Sequence, residues 1–282
     1  MKILLIVAII AIIFGIWYIR KNFKMPKCDS MVCVNGGVKS GKSTFSFALA
    51  HSIFKRNERG VKIRNWLRKV FNKLFNKNYQ MEEMPLFYTT IPVNVPHVLL
   101  TKALLTRDVR FNYKSVIWVD EASLLADSQS YKDLDTNDKL LLFNKLIAHE
   151  TKGGTIVYNT QSIGDLHYSV KRCLAETFYV HSTFKWIPFF LVVTVREERY
   201  SEDGLAVNVY DEDLEESLKR VIIRKSVWKK FDCYAYSSMT DKLPTYTEIN
   251  EQEGLKASKI VSFNDRHNIK IKEDGSYEKS EE

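Results

Sequence analysis

The segment "CVNGGVKSGKST", residues 33–44, contains the pattern GxxxxGK[ST] from Gly36 to Ser43. The apolar run "MVCVN" (31–35) before it predicts a short buried strand, and the residues after it predict a helix over about 43–56. Between a strand and a helix, this pattern is typical of a loop whose backbone N–H groups surround phosphate oxygens. A chance match in a glycine-containing turn is the alternative. The context favours the phosphate loop.

The residue types in this loop predict what each of them binds. Lys42 is long enough to reach the β and γ phosphates, and the hydroxyl of Ser43 is a ligand suited to Mg²⁺. Glycine lets the backbone approach the phosphates without a Cβ atom in the way. We therefore predict ATP and Mg²⁺ as cofactors, with the nucleotide held by Gly36, Gly37, Val38, Lys39, Ser40, Gly41, Lys42, Ser43 and Thr44.

A second motif, "VIWVDE" (116–121), places two acids directly after four apolar strand residues. In α/β folds this end of a strand lies at the edge where ligands bind. Asp120 is predicted to hold Mg²⁺ together with Ser43, and Glu121 to orient or deprotonate the attacking water. Any strand that ends in a charged turn can produce such a motif, but its place about eighty residues after a phosphate loop favours a Walker B strand.

A third strand, "TIVYNTQ" (155–161), ends in polar residues, of which Asn159 or Gln161 is predicted to contact the γ phosphate or the water. This is the sensor position of RecA-like motors, although a solvent-exposed strand end gives the same pattern. Arg172 is a candidate arginine finger for a neighbouring subunit, because such an arginine stabilises transition-state charge. A surface arginine is the alternative. The predicted catalytic set is Glu121, Lys42, Gln161 and Arg172.

The order of strands and helices predicts an α/β fold, a RecA-like P-loop NTPase with a mostly parallel central sheet. Its ATPase domain is expected over 25–240, and the polar residues 241–282 are expected to form a disordered tail. Further strands are predicted at 85–93, 178–182 and 187–200, and further helices at 96–106 and 136–149.

The amino terminus carries a different signal, because residues 3–19 are seventeen uninterrupted apolar residues. That length predicts one transmembrane helix within residues 1–24. A cleaved signal peptide is the alternative, but Trp17, Tyr18 and Arg20 stand where its small-residue cleavage site is expected. Positive charge is heavier after the helix, which predicts a single-pass protein with its ATPase domain in the cytoplasm. Free thiols are expected at Cys28, Cys33, Cys173 and Cys233.

The net charge of +8 is concentrated in one segment, since residues 55–77 contain nine Lys or Arg and one acid. Within it, apolar residues of 61–77 recur at helical spacing and basic residues occupy the remaining positions, which predicts an amphipathic basic helix. Three interpretations remain open. The helix lies on anionic lipid headgroups, contacts nucleic acid, or is a solvated face over a packed apolar side.

Taken together, "GGVKSGKST", "PLFYTTIPV", "VIWVDEAS", "AHETKGGTIVYNTQS" and "KKFDCYAYSS" are similar in order and spacing to the Zot-like (zonula occludens toxin N-terminal) family. The likeness covers about residues 30–238, and that family includes the gene I assembly proteins of filamentous phages. The resemblance implies an inner-membrane ATPase, working as a homo-oligomeric ring or multimer, that extrudes phage single-stranded DNA or assembles the filament from coat proteins. It also implies that the family's nucleotide roles fall to Lys42, Ser43, Asp120, Glu121 and Gln161.

Two departures from the family pattern keep other functions open. The predicted membrane helix precedes the ATPase domain, whereas the family often places it after, and Ala148 stands where a helix-end arginine is expected before His149. An amino-terminal anchor before a RecA-like motor is also the layout of conjugative coupling ATPases. A third hypothesis is a nucleotide-gated membrane scaffold that binds ATP without turnover.

Overall fold

The computed structural model describes residues 14–15, 23–28, 30–100, 111–125, 144–145, 149, 151, 153–185, 189–198, 218–231, 269–271 and 277–279. Most of the predicted membrane segment 3–19, most of the predicted helix 136–149 and Cys233 lie outside these ranges. Within them, no helix has the length and apolar composition needed to cross a bilayer. Within these ranges Cys28, Cys33 and Cys173 form no disulfide bond.

An eight-stranded sheet forms the centre of the fold, in the order β3-β2-β4-β5-β1-β6-β7-β8. The strands are β1 (Met31–Gly36), β2 (Phe87–Thr89), β3 (Val98–Leu99), β4 (Val116–Val119), β5 (Thr155–Asn159), β6 (Glu176–Phe184), β7 (Phe190–Glu198) and β8 (Leu218–Arg224). The first six strands of the sheet order are parallel, whereas β7 and β8 pair antiparallel. The predicted mostly parallel α/β sheet is confirmed.

The order of the strands brings the sequence motifs together. β5 lies between the phosphate-loop strand β1 and the Walker B strand β4, and it pairs in parallel with both. In this register Asn159 is opposite Val34, and Val119 is opposite Tyr158. The carboxyl ends of the three strands therefore meet at one edge of the sheet, which we call the carboxyl edge.

Both faces of the sheet are buried, which explains why its central strands are apolar throughout. Alternate residues of β1 contribute to different cores, Val32 and Val34 to one face and Met31 and Cys33 to the other. The second face is covered by the chain after β5, through Leu166 and further apolar residues. A 3₁₀ turn (Ile163–Asp165) and the short helix α3 (Tyr168–Lys171) lie in that segment.

The first face is covered by helix α1 (Lys42–Phe75). Its Phe47 lies at the centre of an aromatic cluster, with ring centroids 5.1 Å from Trp118 and 4.9 Å from Phe231. The indole Nε1 of Trp118 donates to the hydroxyl of Ser46 at 3.1 Å, so the polar atom of this fully buried side chain is satisfied. The start of α1 is thereby fixed against β4.

One 34-residue helix replaces the two helices predicted over 43–56 and 61–77. Glycine usually lowers helix stability by about 1 kcal/mol, yet the helix continues through Gly60. Glu58 accounts for part of this, because it pairs with Lys62 across the glycine at 2.7 Å and with Lys55 in the preceding turn at 2.8 Å. The helix ends at Asn76, whose left-handed conformation (φ 54°) is a common helix terminus.

The last part of α1, residues 61–75, extends beyond the sheet core and is called the arm here. Residues 76–86, called the strap, run back along it. The side chain of Asn72 exchanges two hydrogen bonds with the backbone of Tyr79, and Asn65 does the same with Glu82. The arm is thus a packed element, and its predicted helical conformation is confirmed up to Phe75.

Other elements differ from the sequence predictions. The predicted helix 96–106 is wrong at its start, where Val98–Leu99 form β3, and residues 101–110 lie outside the described part. β8 was not predicted from the sequence. Two short antiparallel strands, β9 (Ile269–Ile271) and β10 (Tyr277–Lys279), occur in the tail that was predicted to be disordered. The remaining short helices are α2 (Ala122–Leu125) and α4 (Lys225–Trp228).

The aromatic cluster gives a stability prediction. Phe47→Ala removes a fully buried ring, and we expect the free energy of unfolding to fall by about 3 to 5 kcal/mol. The matched control is Leu74→Ala on the exposed end of the arm, for which we expect a change within about 0.5 kcal/mol. Urea unfolding of the detergent-solubilised chain, followed by circular dichroism, measures both. Equal effects of the two substitutions would contradict the packing described here.

Candidate nucleotide site

The loop after β1 has the shape that a phosphate group requires. Lys39 (φ 63°) and Gly41 (φ 89°) are in the left-handed region, and the N–H of Ser40 donates to the carbonyl of Gly37 at 3.2 Å. A Cβ atom at Gly36 would lie 2.8 Å from the carbonyl oxygen of Val180 on β6, so only glycine fits there. The loop is therefore a tight turn at the carboxyl edge, held between β1 and β6.

The amino terminus of α1 faces this loop with its backbone donors uncapped. Gly41 precedes the helix without a side-chain cap, and no acidic residue lies in the first turn. The first N–H groups of a helix need a partner from outside the helix, and the helix dipole favours an anion in that position. Lys42 adds a buried cation at the same place. The loop and the helix start together form an anion site.

Asn159, at the end of β5, connects the phosphate loop to the Walker B strand. Its amide nitrogen Nδ2 donates to the hydroxyl oxygen of Ser43 at 3.0 Å and also to Oδ1 of Asp120. Asn159 is fully buried and Asp120 is 5 % exposed. The sequence left Asn159 and Gln161 as alternatives, and the structure places Asn159 between the two predicted metal ligands.

Burial controls the electrostatics of Asp120. Loss of water around the carboxyl group raises its pKa from 3.8 to about 6. The neighbouring charge of Glu121 also raises this pKa, whereas the hydrogen bonds from Asn159 and Ser43 and the charge of Lys42 lower it. Asp120 is thus a buried carboxylate that a cation at the carboxyl edge would stabilise.

Thr90, in the sequence "YTTIP" after β2, fixes the backbone on the other side of Asp120. The Asp120 N–H donates to the hydroxyl of Thr90 at 2.9 Å, and the Thr90 N–H donates to the carbonyl of Trp118 at 3.3 Å. Thr90 is fully buried. Sequence reasoning did not assign this residue a role; the signal was a polar pair at the carboxyl end of a strand next to β4.

Glu121 follows Asp120 in a left-handed backbone conformation, with φ 53°. For a residue with a side chain this conformation costs roughly 1 to 2 kcal/mol, so the fold around it must hold it in place. The turn changes the direction of the chain between β4 and α2, and Glu121 is half-buried there. Strained residues of this kind cluster at functional sites.

The other two predicted catalytic residues lie away from this cluster. Gln161 follows β5 by two positions and is exposed, without a described contact to the loop. Arg172 is exposed four residues before β6 and lies over the ring of Tyr168, 5.0 Å from its centroid. The start of β6 pairs with Val32 near the start of β1, so Arg172 lies at the edge of the sheet opposite the phosphate loop.

The residues around the loop fit a magnesium nucleotide. The Ser40 hydroxyl, the Asn35 side-chain oxygen and the Asn159 side-chain oxygen are buried without a hydrogen-bond partner among the described residues. Buried polar atoms without partners are costly, and a bound ligand or water would satisfy them. Mg²⁺ in nucleotide sites takes few protein ligands together with phosphate and water. No group of three His, Cys, Asp or Glu suited to a metal occurs in the described part.

The β6–β7 hairpin adds a contact that the sequence did not indicate. The end of β6 continues past the loop, and Thr183 lies so close to Gly41 that a Cβ atom there would collide with the threonine methyl group. Gly41 is therefore required both for its left-handed conformation and for this approach. The hairpin lies directly beside the candidate anion site.

No known protein-family model matches the chain, and no curated protein matches it by sequence. Among solved structures it is similar to the N-terminal domain of zonular occludens toxin from Neisseria meningitidis, at 15% identity and a TM-score of 0.37, covering 73% of this chain and 100% of that one.

Two further likenesses are more limited. The genome packaging NTPase B204 from Sulfolobus turreted icosahedral virus 2, in complex with ATP-gammaS, has 13% identity and a TM-score of 0.30, covering 55% of this chain and 75% of that one. The FIGL-1 AAA domain has 13% identity and a TM-score of 0.27, covering 53% and 42%. Since likenesses at this level say nothing of substrate or partner, function is inferred below from the residues of this chain.

The position of Asn159 gives a prediction about nucleotide binding. Asn159→Ala removes the donor shared by Ser43 and Asp120, and we expect the Mg²⁺-dependent affinity for a fluorescent ATP analogue to fall roughly 10- to 100-fold. Gln161→Ala, in the exposed alternative position, is expected to change this affinity less than threefold. Titrations with Mg²⁺ and with EDTA separate the metal-dependent part. A larger loss for Gln161→Ala would favour the sequence-based choice of Gln161.

The raised pKa of Asp120 gives a prediction about stability. Because its pKa in the folded chain, about 6, exceeds the ordinary 3.8, the neutral carboxyl stabilises the fold at low pH, and this contribution is lost as pH rises through about 6. Asp120→Asn, which stays neutral, is expected to raise the free energy of unfolding at pH 7 without metal, by about 1 to 3 kcal/mol.

The same variant is expected to lose Mg²⁺-dependent nucleotide binding. Asp165→Asn, an exposed acid outside the cluster, is the matched control and is expected to leave both quantities unchanged. Urea unfolding at pH 5 and pH 7 measures the stability difference. A lower stability of Asp120→Asn at pH 7 would contradict the assigned electrostatics.

Proposed function

We propose that this chain is an ATP hydrolase of the P-loop motor type, which binds ATP with Mg²⁺ at the carboxyl edge of its sheet. The observation that carries the proposal is the buried hydrogen bonding of Asn159 to both Ser43 and Asp120. It joins the phosphate loop, the Walker B strand and the strand between them in one site. A chance glycine turn has no reason to be joined to a buried acid in this way.

The proposed roles follow from the position of each group. The uncapped N–H groups of α1 and the loop hold phosphate oxygens, and Lys42 neutralises charge on the β and γ phosphates. Ser43 and Asp120 hold Mg²⁺, which supplies charge neutralisation at the phosphates when bound. Asn159 orients both ligands. Glu121, at the end of β4, accepts a proton from the attacking water or orients it.

We further propose that hydrolysis drives assembly or extrusion of a filamentous phage, with its single-stranded DNA, through the host inner membrane. Support comes from the resemblance of the motifs over about residues 30–238 and from the apolar segment 3–19 as a single-pass anchor. A homo-oligomeric ring or multimer with the ATPase domain in the cytoplasm, and coat proteins or DNA as partners, belong to the same proposal. In such a ring, Arg172 is the candidate to test as a finger.

The test is Mg²⁺-dependent ATP hydrolysis by the detergent-purified chain, with and without circular single-stranded DNA at fixed salt. Lys42→Ala and Glu121→Gln are each expected to lower kcat by roughly 100-fold or more, because they remove charge stabilisation and the proton acceptor. Glu121→Gln is expected to keep nucleotide affinity. The control is Lys229→Ala, which removes an exposed lysine directly after helix α4.

The outcomes separate the alternatives. Stimulation of hydrolysis by DNA supports a DNA-moving motor, and a requirement for phage coat protein distinguishes export from conjugative transfer. If no variant hydrolyses ATP and Glu121→Gln nevertheless keeps full function, the chain is instead a nucleotide-gated scaffold. Hydrolysis that survives Lys42→Ala would contradict the proposed site.

A further inference from the structure

The arm carries a continuous apolar surface that nothing in the described part of the chain covers. Six large apolar side chains, which we call the apolar stripe, are each at least 40% exposed: Ile63, Trp66, Leu67, Phe71, Leu74 and Phe75. Their spacing places them on one side of α1. Scattered exposed apolar residues are normal, but a contiguous set of this size marks an interaction surface.

The strap does not cover this stripe, because it binds the other side of the arm. Asn65 and Asn72, which hold the strap, are seven residues apart and share one face. Ile63 and Leu74 lie on the opposite face, and their side chains are 59% and 69% exposed. The strap thus fixes the conformation of the arm and leaves its apolar side open.

Charge around the stripe has one sign. Residues 59–77 contain no acid, and Lys69, Lys73 and Lys77 form no ion pair with a described residue. Arg64 and Arg68 differ, because both pair with Glu82 of the strap at 2.7 and 2.8 Å. The uncompensated positive charge therefore belongs to the lysines, on the side of the stripe away from those arginines.

A groove of about 400 Å³ lies between the stripe and the strap, lined by Arg64, Leu67, Arg68, Phe71 and Tyr79. Two guanidinium groups and three apolar side chains meet in it. Because both guanidinium groups already pair with Glu82, the groove adds mainly apolar surface to the arm. The groove extends the apolar stripe toward the strap.

We propose that the arm binds the surface of an anionic bilayer, with the apolar stripe inserted at the headgroup level and the flanking lysines on lipid phosphates. A helix with lysines beside Trp, Phe and Leu is the pattern of interfacial membrane helices. This contact is additional to the proposed transmembrane anchor and does not depend on ATP hydrolysis.

Two alternative partners, a second copy of the arm and single-stranded nucleic acid, fit the apolar stripe and its lysines less well. A second copy of the arm would bring lysines against lysines, with no acid between residues 59 and 77 to pair with them. Single-stranded nucleic acid would pair with the lysines and stack on Trp66 or Phe71, but it would leave Ile63, Leu67 and Leu74 exposed to water. An anionic bilayer pairs with the lysines and also buries the aliphatic side chains of the apolar stripe.

The path of the chain places the arm near the proposed anchor. The guanidinium of Arg56, just before the arm, donates to the carbonyl of Cys28 at 3.0 Å. Only eight residues, 20–27, separate Cys28 from the end of the apolar segment 3–19, and they span at most roughly 30 Å. A chain anchored by that segment therefore has the base of the arm close to the membrane.

Hydrogen exchange of the full chain in lipid nanodiscs tests this proposal. Neutral phosphatidylcholine discs are compared with discs that contain phosphatidylglycerol, so that any anchor is the same in both. Amides of residues 61–75 are expected to exchange several-fold more slowly in the anionic discs. The Lys69→Gln/Lys73→Gln variant is expected to lose this protection, since each lysine contributes roughly fivefold to binding of anionic lipid.

The matched control is Arg224→Gln/Lys229→Gln, which removes two exposed charges from the ATPase domain and is expected to keep the protection. Trp66→Ser/Leu74→Ser tests the apolar part and is expected to abolish it. All these side chains are exposed, so hydrolysis and thermal unfolding should stay unchanged and report correct folding.

Equal exchange of the arm in neutral and anionic discs would overturn the proposal. So would protection that appears only with single-stranded DNA, or that rises with protein concentration in detergent, because these outcomes indicate nucleic acid or a second copy. If the chain does not enter neutral discs, the anchor is wrong, and flotation with anionic vesicles tests the arm alone. Flotation that the lysine variant loses supports the arm even then.

Discussion

The whole site depends on one buried amide. Asn159 has room for its two hydrogen bonds only because β5 lies between β1 and β4, which brings Ser43 and Asp120 within reach from opposite sides. Leaving a buried donor without its acceptors lowers the free energy of unfolding, because the donor no longer has a hydrogen-bond partner. The strand order and the polar site therefore stabilise each other, and neither is separable from the fold.

Several features that lower the stability of the chain lie at the same edge of the sheet. A buried carboxyl with a raised pKa, a left-handed Glu121 and three unpartnered polar atoms all lie there or beside it. The two apolar cores on either face of the sheet offset these costs. A cation at this edge would stabilise the buried carboxylate, and a bound ligand or water would satisfy the unpartnered polar atoms, whereas the conformation of Glu121 is held by the fold around it.

Sequence reasoning identified the elements whose signal is local. β1, β4 and β5 are short apolar runs that end in polar residues, and the glycine loop follows the first of them. It failed where contacts between residues far apart in the sequence determine the local structure. The two helices predicted over 43–56 and 61–77 are one, because the helix continues through Gly60 with an ion pair from Glu58 to Lys62 across it. Val98–Leu99 form a strand because β2 offers them a partner. The predicted catalytic set contains Gln161, whereas Asn159 is the residue that reaches Ser43, because the register of β5 with Val34 is not visible in the sequence.

The continuity of α1 has a mechanical consequence. Its 34 residues form a rod of about 51 Å that begins at the phosphate loop and ends at the tip of the arm. A tilt of about 5° at Lys42 displaces Phe75 by about 4 Å, because a helix without an internal break transmits rotation along its length. The two ends of this rod cannot change orientation independently. Any event that tilts the helix at one end therefore displaces its other end.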